Sequence, residues 1–410
     1  MALRSPAYRD HFAAVLQKLK DEGRYRIFAV LERQVGRFPH ARIQTPLGPK
    51  DVTLWSSNDY LGLSQHPRIL QAMRETLEAW GAGAGGTRNI SGTLALHTRL
   101  ESELAAWHGK ESALLFTSGY TANEGALSSL VKLLPGCAVF SDQQNHASMI
   151  AGITRNHCAK YIFAHNDLED LERKLASVPA DSFKIVACES VYSMDGTIAP
   201  LRAIGELAKR YGALTYLDEV HGIGLYGPTG AGVAQREGCA DLFDLIVANF
   251  GKSFGLMGGY VVGETETVDA IRSHASSFIF TTALPPVLAA GALEGVRVLQ
   301  ESGALRIRLH RQASRLRAAL LKAGLPVLPS GSHIVPLLIG GARCCKGVAD
   351  ALLERANIYV QPINFPTVAV GEERLRLTPT PFHTDAMIDD LVEALDTLWQ
   401  EHQLPRRRFA

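Results

Sequence analysis

The sequence has no excess of charge of either sign, no long apolar run and no regular cysteine pattern. Its 42 Lys and Arg residues nearly balance its 41 Asp and Glu residues, for a formal net charge of +1. Without a long basic stretch, the chain lacks the composition of a nucleic-acid-binding protein. No apolar run reaches the roughly 18 residues that a membrane-spanning helix requires, and the N-terminus has no signal-type apolar core. We therefore expect neither a nucleic-acid nor a membrane partner.

Cysteine is scarce and scattered. The spacing of the six cysteines matches no zinc-ligand pattern, so we expect no bound metal. Dispersed thiols are typical of proteins from a reducing compartment, which favours a cytoplasmic location with these side chains in the core. The six are Cys137, Cys158, Cys188, Cys239, Cys344 and Cys345.

Apolar runs alternate with helical patterns through the middle of the chain. A helical pattern at 201–211, for example, separates two such runs. Strands that alternate with helices predict an α/β domain with a mainly parallel sheet, whose strands are buried on both faces. The runs predicted as strands are 113–116, 138–140, 185–188, 213–217, 245–247 and 260–262.

The pattern changes on both sides of this region. A helix at 8–17 and a strand at 52–56 precede it, and a long helical stretch, roughly 286–322, follows it. Next comes a smaller α+β region, with predicted strands at 334–339, 358–360 and 375–377 and a closing helix at 385–402. The length of 410 residues is enough for two or three domains. We expect an N-terminal segment (1–55), a large α/β domain (56–295) and a C-terminal α+β domain (296–410).

Lys252 and Asp218 carry the most information about function. Lys252 lies in a loop after the run 245–247, between Gly251 and Gly255, and glycine lets a backbone approach a ligand closely. Asp218 ends another apolar run, and open α/β sheets bind ligands beyond the carboxyl ends of their strands. Pyridoxal phosphate (PLP) uses two such groups: a lysine that forms a Schiff base and an acid that keeps its ring nitrogen protonated. Alternatively, Lys252 is a surface lysine and Asp218 a helix N-cap.

Three further side chains follow predicted strands and could contact the PLP ring. His221 and Ser193 could hydrogen-bond its phenolic oxygen, and the imidazole of His146, at the start of a helix, could stack on it. Each has a structural alternative. His221 could be a hydrogen-bonded core histidine, Ser193 a turn residue, and His146 a capping or core histidine.

Two glycine-containing segments and one arginine could bind other charged groups. Ser118-Gly119-Tyr120 lies between a strand and a helix, where the first amides of the helix bind phosphate and Ser118 adds a hydroxyl. The run 81–92 lacks the Gly-Lys-Ser/Thr order of a nucleotide loop, which favours a close approach to substrate or to a neighbouring chain. Arg376, on a predicted strand, could bind a substrate carboxylate at two points or form a structural ion pair.

Taken together, these motifs resemble the α-oxoamine synthases, a family of PLP enzymes of fold type I. The resemblance extends from about 17 to 399, with the motifs in the expected order. It is most specific to the branch that joins glycine to succinyl-CoA, through the segments 21–26, 85–93 and 361–368. Relatives that use serine, alanine or a longer acyl group usually carry a different residue where Thr87 stands.

The resemblance implies a PLP-dependent transferase of fold type I, with a mainly parallel seven-stranded sheet flanked by helices, a smaller α+β domain, and a homodimer with shared active sites. It also implies the condensation of glycine with succinyl-CoA, with release of CoA and CO2, to give 5-aminolevulinate for tetrapyrroles such as heme. One rival is another α-oxoamine synthase, which would use a different amino acid or acyl-CoA, for example to make 2-amino-3-ketobutyrate. More remote rivals are a PLP aminotransferase and a non-catalytic protein of the same fold.

The resemblance also assigns roles to individual residues. Lys252 would hold PLP and remove a glycine α-proton, Asp218 would pair with the ring nitrogen, and His146 would stack on the ring. Ser193 and His221 would contact the ring oxygen. The phosphate would be bound by Ser118, Gly119 and Tyr120, and by Thr281 and Thr282 from a second subunit. Arg376 and Asn58 would bind the glycine carboxylate, and the succinyl group would be surrounded by Arg26, Thr87, Asn89, Ile90 and Thr367.

One residue departs from the family's pattern. Asn249 stands three residues before Lys252, where the family usually has a threonine whose hydroxyl binds the cofactor phosphate. A carboxamide can still donate a hydrogen bond, so Asn249 remains among the expected cofactor-binding residues. It is longer than threonine and positions its donor differently, so we expect it to change the affinity for PLP.

Overall fold

The computed structural model describes residues 6–45, 48–301 and 303–406. In these ranges it has helices α1 to α14 and strands β1 to β14. The helices are Pro6–Asp21, Pro67–Trp80, Ala95–His108, Gly119–Leu133, Ala147–Thr154, Leu168–Ala176, Leu201–Arg210, Val233–Arg236, Thr265–His274, Ser276–Ile279, Pro286–Glu301, Gly303–Lys322, Ala342–Ala356 and Asp385–Glu401. The strands are Leu31–Glu32, His40–Thr45, Gly48–Leu54, Ser112–Phe116, Ala138–Asp142, Ala159–Phe163, Lys184–Glu189, Leu214–Asp218, Leu245–Asn249, Gly259–Gly263, Val335–Leu338, Ile358–Tyr359, Pro362–Ile363 and Arg374–Leu377.

The chain forms two compact units. The central unit comprises Asn58–Ser193 and Thr197–Arg308, and the terminal unit comprises Met1–Ser57, Met194–Gly196 and Leu309–Ala410. This division differs from the expected segments 1–55, 56–295 and 296–410, because the two ends of the chain share one unit. The reason is a parallel pairing of β12 with β3, in which Ile358 lies opposite Thr53.

The central unit is built on a seven-stranded sheet with the order β4-β10-β9-β8-β7-β5-β6. Strands β9, β8, β7, β5 and β6 run parallel to one another, and only β10 runs antiparallel to its neighbours β4 and β9. The predicted α/β class with a mainly parallel seven-stranded sheet is therefore confirmed.

Burial explains which strands the sequence reveals. Every residue of β5, β7 and β10 is buried, as expected for strands covered by helices on both faces. Strand β6 lies at the edge of the sheet, and four of its five residues are at least partly exposed. Its sequence Ala-Lys-Tyr-Ile-Phe places a lysine among the apolar residues, and this strand is absent from the predicted strands.

The terminal unit contains two smaller sheets and its own core. The sheets have the orders β1-β2-β3-β12 and β11-β14-β13. The core is formed by residues of α12, α13, α14, β11 and β14, with side chains such as Leu352, Leu391 and Trp399. The predicted strand at 358–360 is therefore present but belongs to the N-terminal sheet. The predicted helical stretch 286–322 consists of α11 and α12, and Ser302 between them lies outside the described residues.

No helix within the described ranges combines the length and the apolar character needed to cross a membrane.

Candidate active site

The carboxyl ends of five strands meet at one edge of the central sheet. β4 and β9 both run antiparallel to β10, so they point the same way as β8, β7 and β5. The carboxyl edge of an open α/β sheet is where ligands bind. The strands end at Phe116, Asp142, Glu189, Asp218 and Asn249. Five predicted cofactor residues follow these strands closely: Ser118, His146, Ser193, His221 and Lys252.

The start of α4 is suited to an anion. Ser118 is the N-cap, and its Oγ accepts a hydrogen bond from Thr121 N at 3.1 Å. The first amides of a helix have no acceptor within the helix, and here they belong to Gly119 and Tyr120. A Cβ built on Gly119 would lie 2.9 Å from both Cβ and Nδ2 of Asn249. The structure therefore brings the Asn249 carboxamide against the first turn of α4.

Asp218 is buried at the end of β8, and both of its carboxylate oxygens accept hydrogen bonds. Oδ2 accepts from Asn123 Nδ2 and Oδ1 accepts from Val220 N, each at 2.7 Å. Burial raises the pKa of Asp218, while these two donors, and then the charges of His146 and Lys252, oppose the increase. Each carboxylate oxygen has a second lone pair, which can accept from a protonated ring nitrogen.

His146 is the N-cap of α5, the structural alternative named for it, and it also faces Asp218 and Lys252. Its Nδ1 lies 3.2 Å from Ser148 N and 2.7 Å from Ser148 Oγ. Burial lowers the pKa of His146; the Asp218 carboxylate raises it and the Lys252 ammonium lowers it again, with a net shift downward. The imidazole is therefore neutral near pH 7, and a neutral ring can lie against an aromatic cofactor without adding a charge.

Glu189 supports His146 from the end of β7. Its Oε1 accepts a hydrogen bond from His146 N at 2.6 Å, and it pairs in register with Asp218 on β8. Burial raises the pKa of Glu189 well above its usual value, and the charge of Asp218 raises it further. The protein thus favours an ionised Asp218 beside a neutral Glu189, because two adjacent buried carboxylates would repel each other.

His221 and Ser193 lie in the segments that follow β8 and β7. His221 Nδ1 is 2.8 Å from the hydroxyl of Tyr60, which also donates to Asn58 Oδ1 at 3.3 Å. The structure thereby links His221 and Asn58, two predicted site residues, through a tyrosine that the sequence reading did not include. Ser193 lies in the turn between the short paired positions Val191 and Ile198.

Lys252 lies in the loop between β9 and β10. Its carbonyl accepts a hydrogen bond from Gly255 N at 2.8 Å, which closes a turn. Gly255 has φ of +67°, and a Cβ there would lie 2.5 Å from Ser64 N, so the turn requires glycine. The charge of Lys252 acts on His146, Glu189 and Asp218, which places all four groups in one electrostatic environment.

These residues fit PLP. A buried carboxylate, an imidazole, a lysine amine and a helix N-terminus converge at one sheet edge, which is the set of groups this cofactor needs. Asn249 Oδ1 adds a second observation, since this buried oxygen has no hydrogen-bond partner among the described residues. The Asn249 carboxamide can therefore form a hydrogen bond that no described residue of the protein satisfies.

Five predicted residues lie on two segments that pair with each other. Thr87 forms an isolated antiparallel bridge with Thr282, and Ala283 N donates to Gly86 O at 2.9 Å. Asn89 and Ile90 lie on the π-helix Arg88–Gly92. Both are exposed, Ile90 by 82%. Thr281 directly precedes the bridge, so this pairing places a predicted succinyl-binding residue beside a predicted phosphate-binding pair.

The terminal unit holds the other predicted substrate residues. Arg26 Nη2 donates to Thr367 Oγ1 at 3.3 Å, so the structure brings together two residues predicted to bind the succinyl group. Next to them, Arg24 lies over the ring of Phe365 at 4.9 Å from its centroid. Arg376 is buried on β14, opposite Pro336 of β11.

Sequence reasoning missed the buried polar residues behind the site. Asn123, Ser148 and Glu189 hydrogen-bond to Asp218 or His146, and Tyr216 hydrogen-bonds to Asn123. One signal was available: Asn123 lies inside the helix α4, and asparagine is a poor residue for a helix interior. Glu189 directly follows the predicted strand 185–188 and Tyr216 lies on the predicted strand 213–217, and a buried polar side chain needs a partner.

Comparison with known proteins agrees with this geometry. A family model described as aminotransferase class I and II matches residues 50–395. Among solved structures, a serine palmitoyltransferase variant from S. paucimobilis with PLP and myriocin bound superimposes with a TM-score of 0.89 at 32% identity, over 97% of this chain and 99% of that one. The fold and the site thus define a PLP-dependent enzyme of fold type I.

Two bacterial sequences identify the family to which the chain belongs within this class of enzyme. A 5-aminolevulinate synthase from Rhizobium meliloti is 54% identical over 399 residues, 97% of this chain and 99% of that protein. One from Bradyrhizobium diazoefficiens is 50% identical over 401 residues, 98% of each chain. The chain therefore belongs to the 5-aminolevulinate synthase family, within the α-oxoamine synthases.

Proposed function

We propose that this chain condenses glycine with succinyl-CoA, releasing CoA and CO2, to form 5-aminolevulinate. The observation that carries the proposal is the convergence of Lys252, Asp218 and His146 at one sheet edge. It occurs in a chain 50% and 54% identical to full-length synthases of that name.

The central unit would hold the cofactor. When bound, PLP supplies an electron sink for the negative charge that develops on the α-carbon of glycine. Asp218 would keep the ring nitrogen protonated, because its buried carboxylate has spare lone pairs beside the donors Asn123 and Val220. Lys252 would hold the cofactor and, as a neutral amine, accept the glycine α-proton on Nζ. Such proton transfer typically contributes about 100- to 10,000-fold to the rate.

Other residues would orient the cofactor. The neutral imidazole of His146 would lie on the ring face, while His221 and Ser193 would contact the ring oxygen. His221 is suited to this because Tyr60 fixes its orientation through Nδ1. The helix start at Ser118, Gly119 and Tyr120 would bind the phosphate, together with Asn249.

The substrates would be bound by arginine and by short polar side chains. The Arg376 guanidinium matches a glycine carboxylate, with Asn58 as a second donor. Arg26 and Thr367, which contact each other, would bind the succinyl carboxylate. Thr87, Asn89 and Ile90 would complete that part of the site.

A homodimer with shared active sites follows as part of the proposal. Thr281 and Thr282 would contact the phosphate of the other subunit's cofactor. Two large apolar side chains beside the paired segments, Phe280 and Ile90, are 81% and 82% exposed, and exposed apolar groups of this kind mark interaction surfaces when they cluster. All six cysteines are free thiols, which supports a reducing, cytoplasmic location.

The decisive experiment compares substrates. Purified protein with PLP should release CoA from succinyl-CoA with glycine, and much more slowly with alanine or serine or with other thioesters. Preference for another pair would assign a different α-oxoamine synthase, and transamination without any CoA requirement would assign an aminotransferase.

A second experiment tests Lys252. Lys252→Ala should abolish turnover while still binding PLP non-covalently, and borohydride should attach PLP to the peptide carrying Lys252 alone. Lys160→Ala, at an exposed lysine on β6, is the matched control and should retain both properties. Substantial turnover in Lys252→Ala, or label on another peptide, would refute the assignment.

A further inference from the structure

A continuous hydrogen-bonded chain of buried side chains lies behind the cofactor residues. The Tyr216 hydroxyl donates to Asn123 Oδ1 at 2.9 Å. Asn123 Nδ2 donates to Asp218 Oδ2 at 2.7 Å and to Ser148 Oγ at 3.0 Å. Ser148 Oγ lies 2.7 Å from His146 Nδ1. The chain thus connects Asp218 to His146 through the Asn123 carboxamide on α4 and the Ser148 hydroxyl on α5.

The orientation of the Asn123 carboxamide is fixed from both ends. An ionised carboxylate can only accept hydrogen bonds, so the atom facing Asp218 must be the NH2 group. The oxygen then faces Tyr216. Burial raises the pKa of Tyr216 well above its usual value, so the phenol keeps its proton and donates it to Asn123 Oδ1.

The orientation of Asn123 also determines the direction of the hydrogen bonds that lead to His146. One N–H of Asn123 is used by Asp218, and the other is donated to Ser148 Oγ. Because Ser148 Oγ already accepts, its own hydrogen is directed to His146 Nδ1, the next polar atom in the chain. Ser148 N donates to the same nitrogen at 3.2 Å. With two donors facing it, Nδ1 must be an acceptor, and a neutral imidazole then carries its proton on Nε2.

We propose that Asn123 is a positioning residue that holds Asp218 as a carboxylate and, through Ser148, holds His146 as the neutral tautomer protonated on Nε2. This inference deepens the proposed function and rests on it for the roles of Asp218 and His146. The ionised state of Asp218 and the neutral state of His146 both suit a protonated cofactor ring. A negative charge is needed opposite the ring nitrogen, whereas a positive charge on His146 would repel both a protonated ring and Lys252.

The other charged groups around His146 are consistent with this arrangement. Asp218 and Lys252 act on the imidazole with opposite sign, and Glu189 contacts its backbone N–H. None of these groups donates to Nδ1, so its two donors are the hydroxyl and the backbone N–H of Ser148. Neither aspartate nor leucine could replace Asn123. Aspartate would place a second carboxylate against Asp218, and leucine would offer no donor to Asp218 or Ser148.

The test uses PLP-saturated enzyme with 15N-labelled histidine, in which His146→Gln identifies the His146 signals. In the unsubstituted enzyme the proton should reside on Nε2 between pH 6 and pH 8. Asn123→Leu should yield mixed tautomers or an imidazole that protonates at higher pH. It should also weaken PLP binding by about 10- to 100-fold, the effect of removing a hydrogen bond to a charged group.

Two further variants distinguish the hydrogen bond from Asn123 to Asp218 from the path through Ser148 to His146. Ser148→Ala keeps the bond from Asn123 to Asp218, so it should alter the His146 signals while PLP affinity stays within about threefold. Ser129→Ala is the matched control. It removes a buried hydroxyl on α4 that donates to Gly125 O at 2.7 Å, and it should change neither the His146 signals nor the PLP affinity. If Asn123→Leu does not fold, Ser148→Ala still tests the tautomer.

Unchanged His146 signals in Ser148→Ala would overturn the inference, as would unchanged PLP affinity in a folded Asn123→Leu. These readouts do not depend on turnover. An enzyme that shows the expected histidine signals but does not join glycine to succinyl-CoA would refute the proposed function alone. An active enzyme with unaltered signals in the variants would refute this inference alone.

Discussion

Asn249 Nδ2 lies 2.9 Å from the position that a Cβ on Gly119 would occupy. The carboxamide therefore fills the space directly in front of the first turn of α4. Threonine, which the family usually has at this position, is branched at Cβ and shorter. The departure from the family's pattern is thus located at the predicted phosphate contact itself.

Replacement of Asn249 by threonine should tighten PLP binding. Threonine removes the buried Oδ1 that has no partner and keeps a donor. Leaving a buried polar group unsatisfied costs about 1–3 kcal/mol, so we expect a gain of about fivefold or more in affinity, measured by titration with PLP. Asn249→Ala, which removes the donor as well, should weaken binding. Unchanged or weaker affinity in Asn249→Thr would contradict the prediction.

Glu219 should make the stability of the protein pH-dependent. This residue follows Asp218, and it accepts hydrogen bonds from Ser190 Oγ and Ala234 N. Burial raises its pKa from 4.5 to about 7. The folded state therefore binds the proton more tightly than the unfolded state. The free energy of unfolding should then fall by up to about 3 kcal/mol as pH rises from about 4.5 to about 7.

Glu219→Gln isolates this contribution. Glutamine resembles the protonated carboxyl group, so the variant should lose less stability between pH 5 and pH 8 than the unsubstituted protein. Urea unfolding of PLP-saturated protein at the two pH values measures the difference. Equal pH dependence in both proteins would show that Glu219 does not titrate in this range.

The glycine at position 255 should be essential for the geometry of Lys252. Gly255→Ala introduces a Cβ at positive φ and 2.5 Å from Ser64 N, whereas Gly212→Ala, at φ +63°, meets nothing within 4 Å. Both variants should lose about 1 kcal/mol of stability from the backbone conformation. Only Gly255→Ala should also lower the fraction of PLP that borohydride attaches to Lys252. Equal attachment in the two variants would contradict a positioning effect.

Arg26 should affect one substrate and not the other. Arg26→Ala should raise KM for succinyl-CoA by about tenfold or more, because a charged hydrogen-bond donor to a carboxylate is lost, while KM for glycine should change little. Arg33→Ala, an exposed arginine in the same part of the terminal unit, is the control. A rise in KM for glycine alone would assign Arg26 to the other substrate.

The sequence predicted the elements that carry continuous apolar runs and the residues that follow them. Lys252, Asp218 and His146 were found because each stands directly after a buried strand, and parallel strands bring such positions to one edge. β6 was missed because Lys160 interrupts its apolar residues, and four of its five residues are at least partly exposed. The chain from Tyr216 to His146 was missed because its members come from three elements, β8, α4 and α5, and only the folded register brings Asn123 to Asp218.

The pairing of β12 with β3 also determines the order in which the chain can fold during synthesis. β3 leaves the ribosome before the central sheet, but its neighbour Ile358–Tyr359 follows only after the whole seven-stranded sheet. Until then the edge of β3 can pair with any other extended chain. A nascent chain that has not yet made β12 can therefore associate with other chains through this edge.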